Sequence, residues 1–187
     1  MPRPRSICLY AASSDKADAR YFALAERFGA ACAQRGFRLV SGGGKVGLMG
    51  AAARAARAQG GETLGVIPSF LRTVELADEE SPLIEVATMH ERKHRMFVES
   101  DAFVALPGGI GTLEEAIETL SWRRLELHDK PIVFLAEDGF WAPLFSLLNH
   151  TVEENFTAPE ILSECIEARS LEACFEQIET RLKVEGA

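Results

Sequence analysis

The 187-residue sequence has no C-x-x-C pair among its four cysteines. Cys8, Cys32, Cys165 and Cys174 are scattered, which indicates neither a disulfide framework nor a cysteine-rich zinc site. Cys8 and Cys32 fall in apolar surroundings and read as buried thiols. This usage suits a reducing, cytoplasmic protein. No apolar run approaches the roughly 18 residues of a membrane span. The run from Ile7 to Ala12, behind Arg3 and Arg5, is too short for a signal-peptide core and reads as a first strand. An excess of positive charge is also missing. Lys and Arg number 20 against 28 Asp and Glu, a net charge of −8. Nucleic acid and membrane surfaces are therefore poor partners. An anionic small molecule still fits, because local N–H groups and a few cations override the global sign. There is no internal repeat and no linker.

What is present is enough for one packed domain over residues 1–187, with 47% hydrophobic and 26% charged residues. Strand patterns cover Ser6 to Ala11, Phe37 to Val40, Thr63 to Ile67, Leu83 to Ala87, Ala102 to Leu106, Ile132 to Leu135 and Ile161 to Ile166. Helical periodicity covers Ala17 to Arg35, Leu48 to Gln59, Met89 to Ser100, Leu113 to Leu127, Gly139 to Asn149 and Ser170 to Val184. Pro68 to Ser81 is a long acidic loop. Strands alternating with helices predict an α/β fold, a Rossmann-like doubly wound parallel sheet with helices on both faces. Ligands of such sheets sit beyond the carboxyl ends of the strands.

Two glycine loops fall on that edge. Pro107-Gly108-Gly109-Ile110-Gly111-Thr112 joins a strand to a helix and predicts a phosphate seat, where N–H groups and the helix dipole meet the anion. Glu115 adds a carboxylate one turn on. A simpler role competes with this, because Thr112-x-x-Glu115 is also a capping box. The earlier loop, Gly42-x-Gly44-x-x-Gly47, has the spacing of a dinucleotide fingerprint. It follows the second strand rather than the first, and Glu62 precedes the strand at whose end a ribose-binding acid belongs. A P-loop is excluded because Val46 follows Lys45. His90-Glu91-x-x-His94 matches a zinc-protease pattern. Arg92 and Lys93 between the histidines oppose a dication, and no third ligand is placed. We expect no metal, and we expect both cations to reach toward a phosphate.

Together these residues resemble the LONELY GUY family of cytokinin riboside 5′-monophosphate phosphoribohydrolases, often mislabelled lysine decarboxylases. The likeness rests on Gly42-Gly43-Gly44-x-x-Gly47-Leu48-Met49-Gly50, Met89-His90-x-Arg92-Lys93 and Pro107-Gly108-Gly109-x-Gly111-Thr112-x-x-Glu115. It implies hydrolysis of the N-glycosidic bond of an N6-modified adenosine 5′-monophosphate, without a cofactor, by a homodimer. The alternative is a module that binds an AMP-like nucleotide without cleaving it. The resemblance makes Arg92 and Glu115 catalytic. It makes Lys93, Gly108, Gly109, Ile110, Gly111, Thr112, Leu113, Glu114 and Ser121 substrate-binding, with Gly43 and Gly44 from the first loop and Glu75 from the acidic loop. Ser41 and Ala11-Ala12-Ser13 depart from the family's usual Tyr and Cys-Gly-Ser. Lys45, Lys93 and Lys130 are unconvincing as Schiff-base lysines of a decarboxylase.

Overall fold

The structure, a computed structural model, describes residues 4–72, 74 and 76–184. Its elements run β1 (Ser6–Tyr10), α1 (Ala19–Gln34), β2 (Arg38–Ser41), α2 (Gly47–Ala58), β3 (Thr63–Pro68), β4 (Leu83–Val86), α3 (Met89–Val98) and β5 (Ala102–Ala105). They continue with α4 (Ile110–Arg124), β6 (Ile132–Leu135), α5 (Ala142–Glu153), α6 (Ile161–Glu164), β7 (Cys165–Ala168) and α7 (Leu171–Val184). The strands form one sheet in the order β4-β3-β2-β1-β5-β6-β7. Every pairing is parallel. This is the Rossmann-like doubly wound architecture expected from the alternating pattern.

Side chains alternate across the strands and build two cores. Ile7, Leu9, Val104, Val133 and Leu135 pack beneath α1, α2 and α7. Cys8, Tyr10, Phe103, Ile132 and Phe134 pack on the other face with Met96 of α3, Ala116 of α4 and Phe145 of α5. The four cysteines are free and buried. Burial pushes the Cys165 thiol up to about 12 and the Cys8 thiol higher still. No described helix is long and apolar enough to cross a membrane.

Three elements begin three or more residues from where the sequence places them, each for a local reason. The α4 helix begins at Ile110, not Leu113, because the carbonyl of Gly109 already accepts from Leu113 N–H at 3.0 Å. The α5 helix begins at Ala142, where Pro143 stands in the first turn, and Gly139 forms the preceding bend with φ 76°. Ile161 to Glu164 is a single helical turn rather than the start of a strand. Its entry is set by Pro159, whose carbonyl accepts from Leu162 N–H at 3.1 Å.

The small residues of α2 serve a close approach to α1. A Cβ built on Gly29 would stand 2.0 Å from the carbonyl oxygen of Ala52. Backbone cannot yield as a side-chain tip does, so Gly29→Ala is expected to destabilise the fold by about 1–3 kcal/mol. A urea denaturation curve checks this; an unchanged midpoint would mean the helices separate freely.

Candidate active site

The winding of the sheet reverses between β1 and β5. The helix after β1 lies on one face and the helix after β5 on the other. The two exit loops diverge and leave a crevice at the carboxyl edge. A cavity of about 360 Å³ opens there. The β1–α1 loop contributes Ala11 to Ser14, and the β2–α2 region contributes Gly42 and Met49. Met89 and Arg92 come from α3, and Gly109 to Thr112, Glu114 and Glu115 come from the start of α4.

Thr112 is not the cap that the competing reading of Thr112-x-x-Glu115 would make it. Gly109 is the N-cap of α4 and no side chain caps the helix. Thr112 is therefore inside the first turn, buried against Gly108, where a Cβ would stand 2.1 Å from its Oγ1. The N–H groups of a helix's first turn have no carbonyl partner within the helix. Gly109 to Thr112, at the positive end of the α4 dipole, line the cavity. Glu115 is a full turn further in and lines the cavity. Its turn is held from below. Thr119 Oγ1 donates to the Glu115 carbonyl at 2.9 Å. The Tyr10 hydroxyl lies 2.9 Å from Thr119 Oγ1 and, with that proton already committed, must donate to it. Burial in this spot raises the Tyr10 pKa well above the usual phenol value, and the nearby Cys8 and Glu115 add to the rise.

Arg92 is only 5% exposed. Its Nε donates to the Val66 carbonyl at 3.2 Å and its Nη2 to the Gly42 carbonyl at 3.0 Å. The first glycine loop is thus the seat of a guanidinium. Gly43 and Gly44 are buried behind it and do not line the cavity. The loop is tied to the acidic loop: Gly43 O accepts from Asp78 N–H at 2.8 Å, and Lys45 N–H donates to Leu76 O at 2.9 Å. Asp78 in turn accepts from Arg57 Nη1 at 2.6 Å.

Other expected residues lie elsewhere. Lys93 does not line the cavity; its ammonium donates to Glu114 and, at 3.0 Å, to Glu118. Gly108 lines an adjoining groove with Ser14 and Gly109. Leu113 packs on the second core. Ser121 is exposed near the far end of α4. Glu75 lies outside the described residues. His90 and His94 are exposed on α3, and Glu91 acts in capping: its carboxylate accepts from Ala87 N–H at 2.9 Å, while Thr88 Oγ1 accepts from Glu91 N–H at 3.1 Å. No group of three metal-ligating side chains stands together among the described residues. Ser14, Met49 and Met89 were missed as cavity residues. Only the winding reversal, which brings the β1–α1 loop opposite α4, signals the first of them.

Known proteins extend this picture. A family described as "Possible lysine decarboxylase" matches residues 49–178. A cytokinin riboside 5′-monophosphate phosphoribohydrolase of Rhodococcoides fascians is 41% identical over 179 residues, covering 95% of this chain and 90% of its own length. The chain belongs to this phosphoribohydrolase family. A relative of the same name in Arabidopsis thaliana is 39% identical and is covered over 88% of its length. A probable one in Oryza sativa subsp. japonica is 42% identical over 158 residues, and the chain spans 64% of that protein's length. Among solved structures, the molybdenum cofactor binding protein of Rippkaea orientalis superposes with a TM-score of 0.73 at 26% identity, covering 97% of this chain and 99% of its own. The molybdenum cofactor carrier protein of Chlamydomonas reinhardtii, at 20% identity and a TM-score of 0.75, shares the fold over 97% of this chain and 99% of its own.

A Cβ on Gly42 would stand 2.0 Å from Arg92 Nη2. The atom it meets is the tip of a long side chain, so the guanidinium would move and the fold would hold. Gly42→Ala is expected to keep its melting temperature within a few degrees while nucleotide binding or turnover falls about tenfold or more. Thermal melts beside AMP titrations check this; unaltered binding and turnover would show that the seat of Arg92 is immaterial.

Proposed function

We propose that this phosphoribohydrolase-family chain hydrolyses the N-glycosidic bond of an N6-modified adenosine 5′-monophosphate, releasing the base and ribose 5-phosphate. The observation that carries the reading is the convergence of an uncapped helix N-terminus, a carboxylate and a buried guanidinium on one cavity. The names of the relatives support the same reaction.

In this reading the first-turn N–H groups of α4, at Ile110, Gly111 and Thr112, hold the 5′-phosphate. That fixes the ribose against Glu115. As the C1′–N9 bond lengthens, positive charge builds on the ribose and the carboxylate of Glu115 stabilises it. Water then adds to C1′ and gives up a proton to Glu115 or to solvent, while the departing base takes a proton from solvent, so that the net reaction consumes one water. Arg92 orients the phosphate or the base through the guanidinium face turned to the cavity. Among the described residues no lysine lines the cavity, which gives no support to Schiff-base chemistry there. We assign residues 1–187 to one nucleotide-binding domain working in a reducing cytoplasm, a setting supported by four free, buried thiols.

The assembly we propose is a homodimer. Ile110 and Ile117 of α4 and Leu125, its C-cap, fall along one face and are 84%, 37% and 53% exposed. Ser121 lies on the same stripe, so a substrate contact by Ser121 would be made to the partner's site. Light scattering of Ile117→Asp and Leu125→Asp is expected to give monomers where the wild type gives dimers; a monomeric wild type would rule the dimer out.

Incubating the protein with N6-isopentenyladenosine monophosphate, then separating the products, tests the reaction. Equal amounts of free base and ribose 5-phosphate are expected. Glu115→Gln is expected to lower kcat by about 100-fold or more with the fold intact. Tight nucleotide binding with no base released would instead establish the non-catalytic module.

A further inference from the structure

Arg92 and Glu115 sit on different helices, and each has a neighbour in the same ion cluster. Lys93 follows Arg92 on α3. Glu114 precedes Glu115 on α4, and Glu118 lies one turn further along. The Lys93 ammonium bridges the helices by pairing with both carboxylates, at 3.0 Å to Glu118. We propose that Lys93, Glu114 and Glu118 form a clamp that sets the spacing and rotation of α3 against α4, and that Lys93 is a positioning residue rather than a ligand of the substrate phosphate. This rests on the assignment of Arg92 and Glu115 as the groups that act on the nucleotide.

Three observations support it. First, the Lys93 side chain is 16% exposed and Glu118 is 28% exposed. A solvated ion pair contributes little, but this cation is largely covered and doubly paired. Second, burial works against the charge on Lys93, yet the hydrogen bonds to Glu114 and Glu118 outweigh it and hold the pKa above the ordinary lysine value. The ammonium thus stays charged and committed to the two carboxylates. Third, α3 and α4 lie on the same face of the sheet and both border the cavity, Arg92 reaching in from one side and Glu115 from the other. Adjacent residues on a helix are about 100° apart. A tether at Lys93 and at Glu114 therefore fixes the direction in which Arg92 and Glu115 point. A displacement near 1 Å is enough to cost about 100-fold in rate.

A phosphate-binding Lys93 and a clamping Lys93 predict opposite behaviour at Glu118, which does not line the cavity. If Lys93 bound phosphate, removing the Glu118 charge would free it and tighten substrate binding. If Lys93 clamps, the same change loosens the helices. Steady-state kinetics of the full chain with N6-isopentenyladenosine monophosphate separate the two for Lys93→Met, Lys93→Arg, Glu118→Gln and the Lys93→Met/Glu118→Gln double variant. With the clamp, Lys93→Met lowers kcat about tenfold and Glu118→Gln a few-fold, both with KM within about twofold. Lys93→Arg restores most of kcat, and the double variant is no slower than Lys93→Met alone. A tenfold rise in KM for Lys93→Met at unchanged kcat, or a lower KM for Glu118→Gln, overturns the clamp. So do independent, multiplying losses in the double variant. Circular dichroism of each variant normalises turnover to folded protein, and Lys93→Arg and Glu118→Gln carry the test if Lys93→Met fails to fold. A wild-type chain that releases no base overturns the hydrolase reading itself, an outcome distinct from any pattern among the variants.

Discussion

A guanidinium almost withdrawn from water has to find acceptors, and the carbonyls of Gly42 and Val66 supply two of them to Arg92. Much of the site follows from that requirement. Residue 42 carries no side chain because a Cβ would occupy the place of Nη2. The β2–α2 loop must hold its carbonyl toward α3, and it is tied from behind by the backbone of Leu76 and Asp78. Arg57, at the far end of the helix that this loop begins, anchors Asp78 through its carboxylate. A buried cation on one side of the cavity is thus supported by a chain of contacts that reaches into the acidic loop.

The opposite wall obeys a different constraint. A helix that starts at a glycine with no capping side chain leaves its first-turn N–H groups to whatever the cavity holds. Residues suited to capping are available, but they are used elsewhere. Thr112 packs on Gly108, and Thr88 with Glu91 caps α3 instead. Glu115 is carried to the cavity by a turn that Tyr10 and Thr119 hold from below. An anion seat and a carboxylate on one helix, facing a cation on the next, suit a phosphorylated sugar that gains positive charge as its bond to the base breaks.

The doubly wound sheet was legible in the alternation of short apolar runs with amphipathic segments, because buried parallel strands and half-buried helices leave different periods. The glycine loops were legible as turns at the carboxyl edge. Which side chain performs which task was less so. Thr112-x-x-Glu115 has the spacing of a capping box, and local spacing does not reveal that Gly109 has already begun the helix. Arg92 and Lys93 look alike as neighbouring cations. Their 100° separation on α3 sends one beneath Gly42 and the other to Glu114 and Glu118. Ile161 to Ile166 reads as a strand by composition, yet Pro159 starts a turn that consumes its first half.

By itself, then, the sequence determined the sheet with its two glycine loops and the residue types that meet at their edge. Those features depend on periodicity and on backbone freedom, which are local. The tertiary structure alone decided that the winding reverses between β1 and β5, that Ala11 to Ser14 therefore face α4, and that the first glycine loop seats an arginine instead of lining the cavity throughout. It also decided that Lys93 pairs with two carboxylates from the next helix. Those outcomes depend on which surfaces meet when distant segments pack, and no spacing along the chain encodes that distance.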